Sequence, residues 1–200
     1  MGCGASTALV LLPEAVKFTR AHGDLILSDG DMVATDHSSF DAPRAMICGN
    51  YIVYSGLHCA EFVLTSYGCV GVASPGFDVA RFDMLSKRSH RAPAAASASV
   101  SSSGWAFNLK DGALSSEGGS NHGCFRMLDG LESWQAGQTI GLQLDLTAGT
   151  LEVFLDGRRL GAMARGLTGP LCWYAECHTA GGAVRVRGKH HSTPWLACSE

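Results

Sequence analysis

Charge is scarce in this chain of 200 residues: Asp, Glu, Lys and Arg make up 16%, and the formal net charge is −3. No broad basic stripe is present, so the sequence offers no phosphate-neutralising surface of the kind nucleic-acid binding needs. No apolar run approaches the ~18 residues of a membrane-spanning helix. Neither a Gly-x-Gly-x-x-Gly turn after a strand nor a Walker-type phosphate loop occurs, which leaves nucleotide binding without support. Asn-x-Ser/Thr acceptors are missing too. The N-terminus has neither the basic residue nor the long apolar core of a secretory leader. No segment repeats at a solenoid or propeller period.

What is there describes a folded globular chain. Apolar residues reach 46%, and the length suits one domain with a proper core. The 25 glycines suit many turns. Eight cysteines stand at 3, 48, 59, 69, 124, 172, 177 and 198. Several lie inside apolar runs, as in Tyr67-Gly-Cys-Val-Gly-Val, where a thiol serves as a small core group. We therefore expect reduced thiols and a cytoplasmic protein, with disulfides as the alternative.

The clearest pattern runs from Gln138 to Met163. Ile140, Leu142, Leu144 and Leu146 fall on every second residue, the period of a strand with one buried face. A break at Thr147–Thr150, holding Gly149, is followed by Leu151, Val153 and Leu155 in the same alternation. Asp156-Gly157 then supplies the positive φ angles of a tight hairpin. Three antiparallel strands joined by two short turns are expected here.

Elsewhere the chain is more mixed. Glu14 to Arg20 reads as a short helix at the domain edge, and Gly23–Ala34 as two short strands around Asp29-Gly30. Thr35 to Arg44 is polar, holds Pro43 and reads as a surface loop. Residues 86–103 include a Ser/Ala-rich tract that can bury little. Met1-Gly-Cys-Gly-Ala-Ser6 fits the myristoylation pattern at Gly2, with Cys3 available for a second acyl chain. The alternative is an ordinary small-residue start that matches by chance.

Several segments in order resemble SPRY (B30.2) domains. The carriers are Gly56-Leu-His-Cys-Ala-Glu-Phe-Val-Leu64, Cys69-Val-Gly-Val-Ala73, Gly104-Trp-Ala-Phe-Asn-Leu109, the 138–163 hairpins, Gly166-Leu-Thr-Gly-Pro-Leu-Cys-Trp-Tyr-Ala175 and Ala183-Val-Arg-Val-Arg-Gly188. Cys59 and Ala60 replace the family's usual aromatic pair. The pattern is most similar to the SPRY domains of SPRY-and-SOCS-box adaptors, although no SOCS box follows.

The resemblance implies an all-β fold, a bent two-sheet antiparallel β-sandwich of the concanavalin-A-like jelly-roll type. It would span residues 23–188 with 86–103 as an inserted loop, a segment 1–22 before it and a tail 189–200 after it. It also implies a monomeric, non-catalytic module that binds a protein or short peptide through loops at one end. No cofactor or nucleic acid is expected, and a membrane enters only through acylation. By position the binding residues are Asp36, His37, Tyr67, Phe77, Phe82, Leu85 and Thr179, with Tyr67, Phe77 and Phe82 as anchors. Packing under the inserted loop is the competing role for those three aromatics. The adaptors place an arginine in the first loop and a tryptophan in the last, where this chain has Asp36-His37 and Thr179, so a different partner is expected.

Other constellations are weaker. Glu152 and Asp156 share a strand face, yet a glycosidase pair needs a sugar cleft between its carboxylates. No catalytic residue is expected. Cys172, Cys177, His178, His190, His191 and Cys198 are soft donors, but their irregular spacing lacks the paired form of structural zinc sites, so no metal site is expected. His58 and His178 follow or precede a cysteine directly, and neighbours on a strand point to opposite faces, so neither activates that thiol. Trp134-Gln135 is the one candidate platform for the alternative function, a lectin-like glycan-binding sandwich.

Overall fold

The computed structural model describes residues 15–80, 104–108, 114–117 and 134–189, and every helix-or-strand element among them is a strand. In chain order these are β1 (Arg20–Ala21), β2 (Leu25–Ser28), β3 (Val33–Asp36), β4 (Arg44–Val53), β5 (Leu57–Leu64), β6 (Gly68–Ala73) and β7 (Gly104–Asn108). There follow β8 (Leu114–Glu117), β9 (Thr139–Asp145), β10 (Thr150–Leu155), β11 (Arg158–Arg165), β12 (Leu171–Cys177) and β13 (Ala183–Lys189). They form two antiparallel sheets, ordered β1-β4-β12-β6-β7-β8 and β11-β10-β9-β5-β13-β3-β2. This is the two-sheet antiparallel sandwich that the SPRY resemblance implies.

The 138–163 stretch folds as its period dictates. β9 pairs with β10 through Leu144↔Leu151, Leu142↔Val153 and Ile140↔Leu155, and β10 turns directly into β11. Asp156 and Gly157 close that hairpin at φ 48° and 84°, the left-handed pair a two-residue turn of this hand requires. Inward residues of both sheets, among them Phe18, Phe62, Leu64, Val72, Leu142 and Trp173, are buried in one shared core. Truncating Trp173 to alanine would cost about 3–5 kcal/mol, because its neighbours cannot refill the space.

A second, smaller cluster covers the outer face of the six-stranded sheet. Ala45, Ile47, Cys69, Cys172 and Tyr174 lie there under Phe77, whose ring meets Tyr174 edge-on at 5.0 Å. β12 is consequently buried along its whole length on both faces, and Leu171–Cys177 shows no polar alternation.

One expected element is absent. Residues 15–19 run extended into β1 and form no helix. Val16 and Phe18 point into the core at 4% and 0% exposure, a spacing of two that suits an extended chain and not a helix. The N–H groups that a helix would turn inward are used sideways instead: Phe18 donates to the Asp31 carbonyl (2.8 Å) and Thr19 to that of Ile47 (3.0 Å). The sandwich therefore takes in residues before position 23. Gly2, Cys3, Phe82, Leu85, the whole 86–103 insertion and residues 190–200 of the tail lie outside the described residues.

Candidate functional site

At one end of the sandwich three connections meet: 37–43 between β3 and β4, 65–67 between β5 and β6, and 178–182 between β12 and β13. The strands bring them together because Arg44 and Gly68 both pair with Cys177, and Ala183 pairs with Thr35. Backbone hydrogen bonds then lace the loops to one another. Asp36 N–H donates to the Gly182 carbonyl (2.8 Å), Gly181 N–H to that of Asp36 (3.1 Å), and His178 N–H to that of Tyr67 (3.0 Å). Ala180 N–H adds a bond to Asp41 Oδ1 at 2.9 Å. Such a rim is held in place before any partner arrives.

Beneath the rim the two sheets are joined by charge. Arg44, at the start of β4, is 2% exposed and faces Asp36 on β3 of the other sheet, Nη1 to Oδ2 at 3.3 Å. Its Nε donates to Asp24 Oδ2 at 2.9 Å and its Nη1 to the Ala42 carbonyl at 2.7 Å. Asp36 Oδ1 in turn accepts from Ser38 N–H at 2.7 Å, fixing the first bend of the 37–43 loop. A guanidinium with its fork filled in this way is compatible with burial that a lone charge would not tolerate.

Above this plug stand the exposed aromatics. Phe40 is 63% exposed and rests on Arg44, whose Cζ lies 4.9 Å from the ring centroid. Tyr67 is 53% exposed, with its ring 6.3 Å from that of the half-buried Trp134. His37 is exposed and Thr179 half-buried on the same rim.

Of the residues expected to bind a partner, the fold thus gathers Asp36, His37, Tyr67 and Thr179. Their roles differ from expectation in two cases. Asp36, at 1% exposure, is the buried counter-ion of Arg44 and presents no surface to a partner. Phe77 is wholly buried, and it lies on the outer sheet face after β6 has run from the rim to the opposite end. It packs in the cluster on that face. Phe40 and Arg44 were not singled out by sequence reasoning. Nothing local marks them, since one sits in a polar loop and the other finds its partner only across the sheets.

The groups weighed for chemistry are engaged otherwise. Arg159 grips Glu152 through Nε (2.9 Å) and Nη2 (2.5 Å), and this bond holds the carboxyl below its ordinary range, opposite to the shift a general acid needs. Asp156 accepts from Gln138 Nε2 (2.8 Å) and Thr139 N–H (2.9 Å), bracing its own hairpin. Burial raises the Cys48 and Cys177 thiols and pushes Cys172 up to about 12, so these sulfurs stay protonated and unreactive. Of the soft donors read from the C-terminal sequence, Cys172 and Cys177 point to opposite faces of β12, while His190, His191 and Cys198 lie outside the described residues. Trp134 packs against the core beside Tyr67 and does not stand out as a lone glycan platform.

Comparison with known proteins agrees with this architecture. The SPRY domain of human HERC1 superposes with a TM-score of 0.58 at 17% identity, over 85% of this chain and 94% of that one. The TRIM65 PSpry domain gives 0.58 at 16% identity, over 88% and 90%. A further human SPRY domain gives 0.53 at 13%, over 82% and 94%. The chain has the fold of these SPRY domains. No protein-family model and no curated protein sequence matches it.

Proposed function

We propose that this chain is a non-catalytic protein-interaction module whose rim takes a peptide or an exposed segment of a protein. The observation that carries this reading is the placing of Phe40 and Tyr67, each more than half exposed, on loops bound to one another by backbone hydrogen bonds. Large aromatic side chains supply most of the energy at interfaces, and a rim ordered in advance loses little entropy on binding. The shared SPRY fold supports the same reading, because the family resemblance implies binding through loops at this end. The partner segment would carry apolar side chains for Phe40 and for the Tyr67–Trp134 pair.

Selection from a random peptide library displayed on phage tests this. Wild type should enrich a family of related sequences that the Phe40→Ala/Tyr67→Ala variant no longer captures. Equal capture by both proteins would overturn the assignment of the rim.

Acylation at Gly2 and Cys3 would place the module at a membrane, since two acyl chains anchor where a single myristoyl group binds only marginally. Metabolic labelling with a myristate analogue should mark wild type and spare Gly2→Ala. Equal labelling would remove the anchor from the proposal.

A further inference from the structure

On the outer face of the six-stranded sheet, just below the rim, three donor groups from two strands converge. Glu176 and His178 are two residues apart along β12 and its continuation, so both point to the same face. Cys69 on β6 is the direct cross-strand partner of Glu176, which puts its side chain on that face too. The backbone ladder extends past the strand end through His178 N–H to the Tyr67 carbonyl at 3.0 Å, so the placement is set by main-chain pairing. His178 Nε2 lies 2.7 Å from Glu176 Oε2 and 3.6 Å from Cys69 Sγ, and the three ligand atoms fall within 4.8 Å of one another.

We propose that Cys69, Glu176 and His178 form a binding site for one borderline-soft divalent cation, Zn²⁺ being the species this donor set suits. Size is the first argument. With Zn–S near ~2.3 Å and Zn–N and Zn–O near ~2.1 Å, a tetrahedral ion separates its sulfur and nitrogen ligands by about 3.6 Å and nitrogen and oxygen by about 3.4 Å. The Cys69–His178 spacing of 3.6 Å already has that value. The Glu176–His178 contact of 2.7 Å has only to open by about 0.7 Å, within the reach of side-chain rotation.

Hydrogen bonding supplies the second argument. One ring nitrogen, Nε2, faces both a carboxylate oxygen and a sulfur. It can donate to the first or accept from the second, but not both at once. A cation at the centre of the triangle would be shared by all three groups and would bring positive charge to a carboxylate that is wholly buried. Glu176 is also oriented for the task, since the Tyr174 hydroxyl donates to its other oxygen, Oε1. That is the outer-shell bond metal-binding carboxylates usually have. His178 is 22% exposed, so the group is reached from solvent on the His178 side.

The plain alternative is a Glu176–His178 ion pair with a neighbouring thiol, and metal titration separates the two. The full chain, stripped with a chelator, is titrated with Co²⁺ and then with Zn²⁺. One Co²⁺ per chain, with thiolate-to-cobalt charge-transfer absorption that Zn²⁺ abolishes, is the expected result. Cys69→Ser should remove the charge-transfer band and His178→Gln should weaken binding by about tenfold or more, while Cys59→Ser leaves both unchanged. No saturable binding to wild type, or a charge-transfer band that survives Cys69→Ser, would overturn the site. If Cys69→Ser does not fold, zinc-edge X-ray absorption on wild type decides: one sulfur with nitrogen and oxygen supports the site, and none or several sulfurs overturns it.

Discussion

Arg44 and Asp36 show how much depends on single residues at the rim. Removing the guanidinium while leaving the wholly buried Asp36 carboxylate strands a charge between the sheets. Arg44→Leu should therefore lose about 3–5 kcal/mol of stability in urea unfolding, whereas Arg44→Leu with Asp36→Leu should recover much of that loss. A double variant as unstable as the sum of its singles would mean that the pair does not interact. Glu152 behaves differently because its ion pair with Arg159 is at the surface. The Arg159 hydrogen bond, with the charge of nearby Arg165 adding to it, holds the carboxyl below its ordinary 4.5. A depressed carboxyl contributes stability above its unfolded-state value and loses it as pH falls through the folded one. Arg159→Ala should raise the Glu152 titration midpoint when followed by NMR. An unchanged midpoint would contradict the contact.

The long-range pairings are not legible in the sequence. Arg44 reaches Asp24 and Asp36 across loops and sheets, and Cys69 meets His178 across 109 residues. Local patterns carry burial and turn chemistry, whereas charge pairing follows from how the strands are ordered. Aromatic anchors were legible only by type. Tyr67 and Phe77 both stand a few residues beyond the end of a strand, and only the course of the chain over the outer sheet face sends Phe77 inward.

Among elements, the strands with one wet face were the readable ones. β9, β10 and β11 follow from a period of two and from Asp156-Gly157, because register errors there would turn the whole apolar set outward. The extended stretch before β1 was not readable. Seven residues with three apolar side chains, Ala15, Val16 and Phe18, fit a short helix as well as a strand, and the slot that takes Val16 and Phe18 is made by distant parts of the chain. The β6–β12 pair is the element on which rim and outer-face cluster both depend. At Gly68 a Cβ would stand 2.1 Å from the Glu176 carbonyl oxygen, a contact no side-chain motion relieves. Gly68→Ala should cost at least about 1–3 kcal/mol and weaken hydrogen-exchange protection at the His178 amide. Wild-type protection at that amide would mean that the strands have room to spare.

For the molecule as a whole, the two layers make a scaffold in which the Cys48 and Cys172 thiols serve packing. Cys48 and Cys172 are fully buried with raised thiol pKa values, and both should resist alkylation until the sandwich unfolds globally. Mass spectrometry across a urea series should show them becoming modified together with loss of structure. Early modification would indicate a sandwich that opens locally.

The proposed function lies at one end of that scaffold, and the two ends supply their own control. Tyr54 is 71% exposed in the connection between β4 and β5, roughly 30 Å from the rim along β4. Calorimetric titration of one selected peptide against Phe40→Ala, Tyr67→Ala and Tyr54→Ala is the most direct test. The account predicts losses of about 2 kcal/mol or more for at least one rim variant, roughly thirtyfold in affinity, and no change for Tyr54→Ala. Full affinity in both rim variants, or a loss confined to Tyr54→Ala, would contradict it.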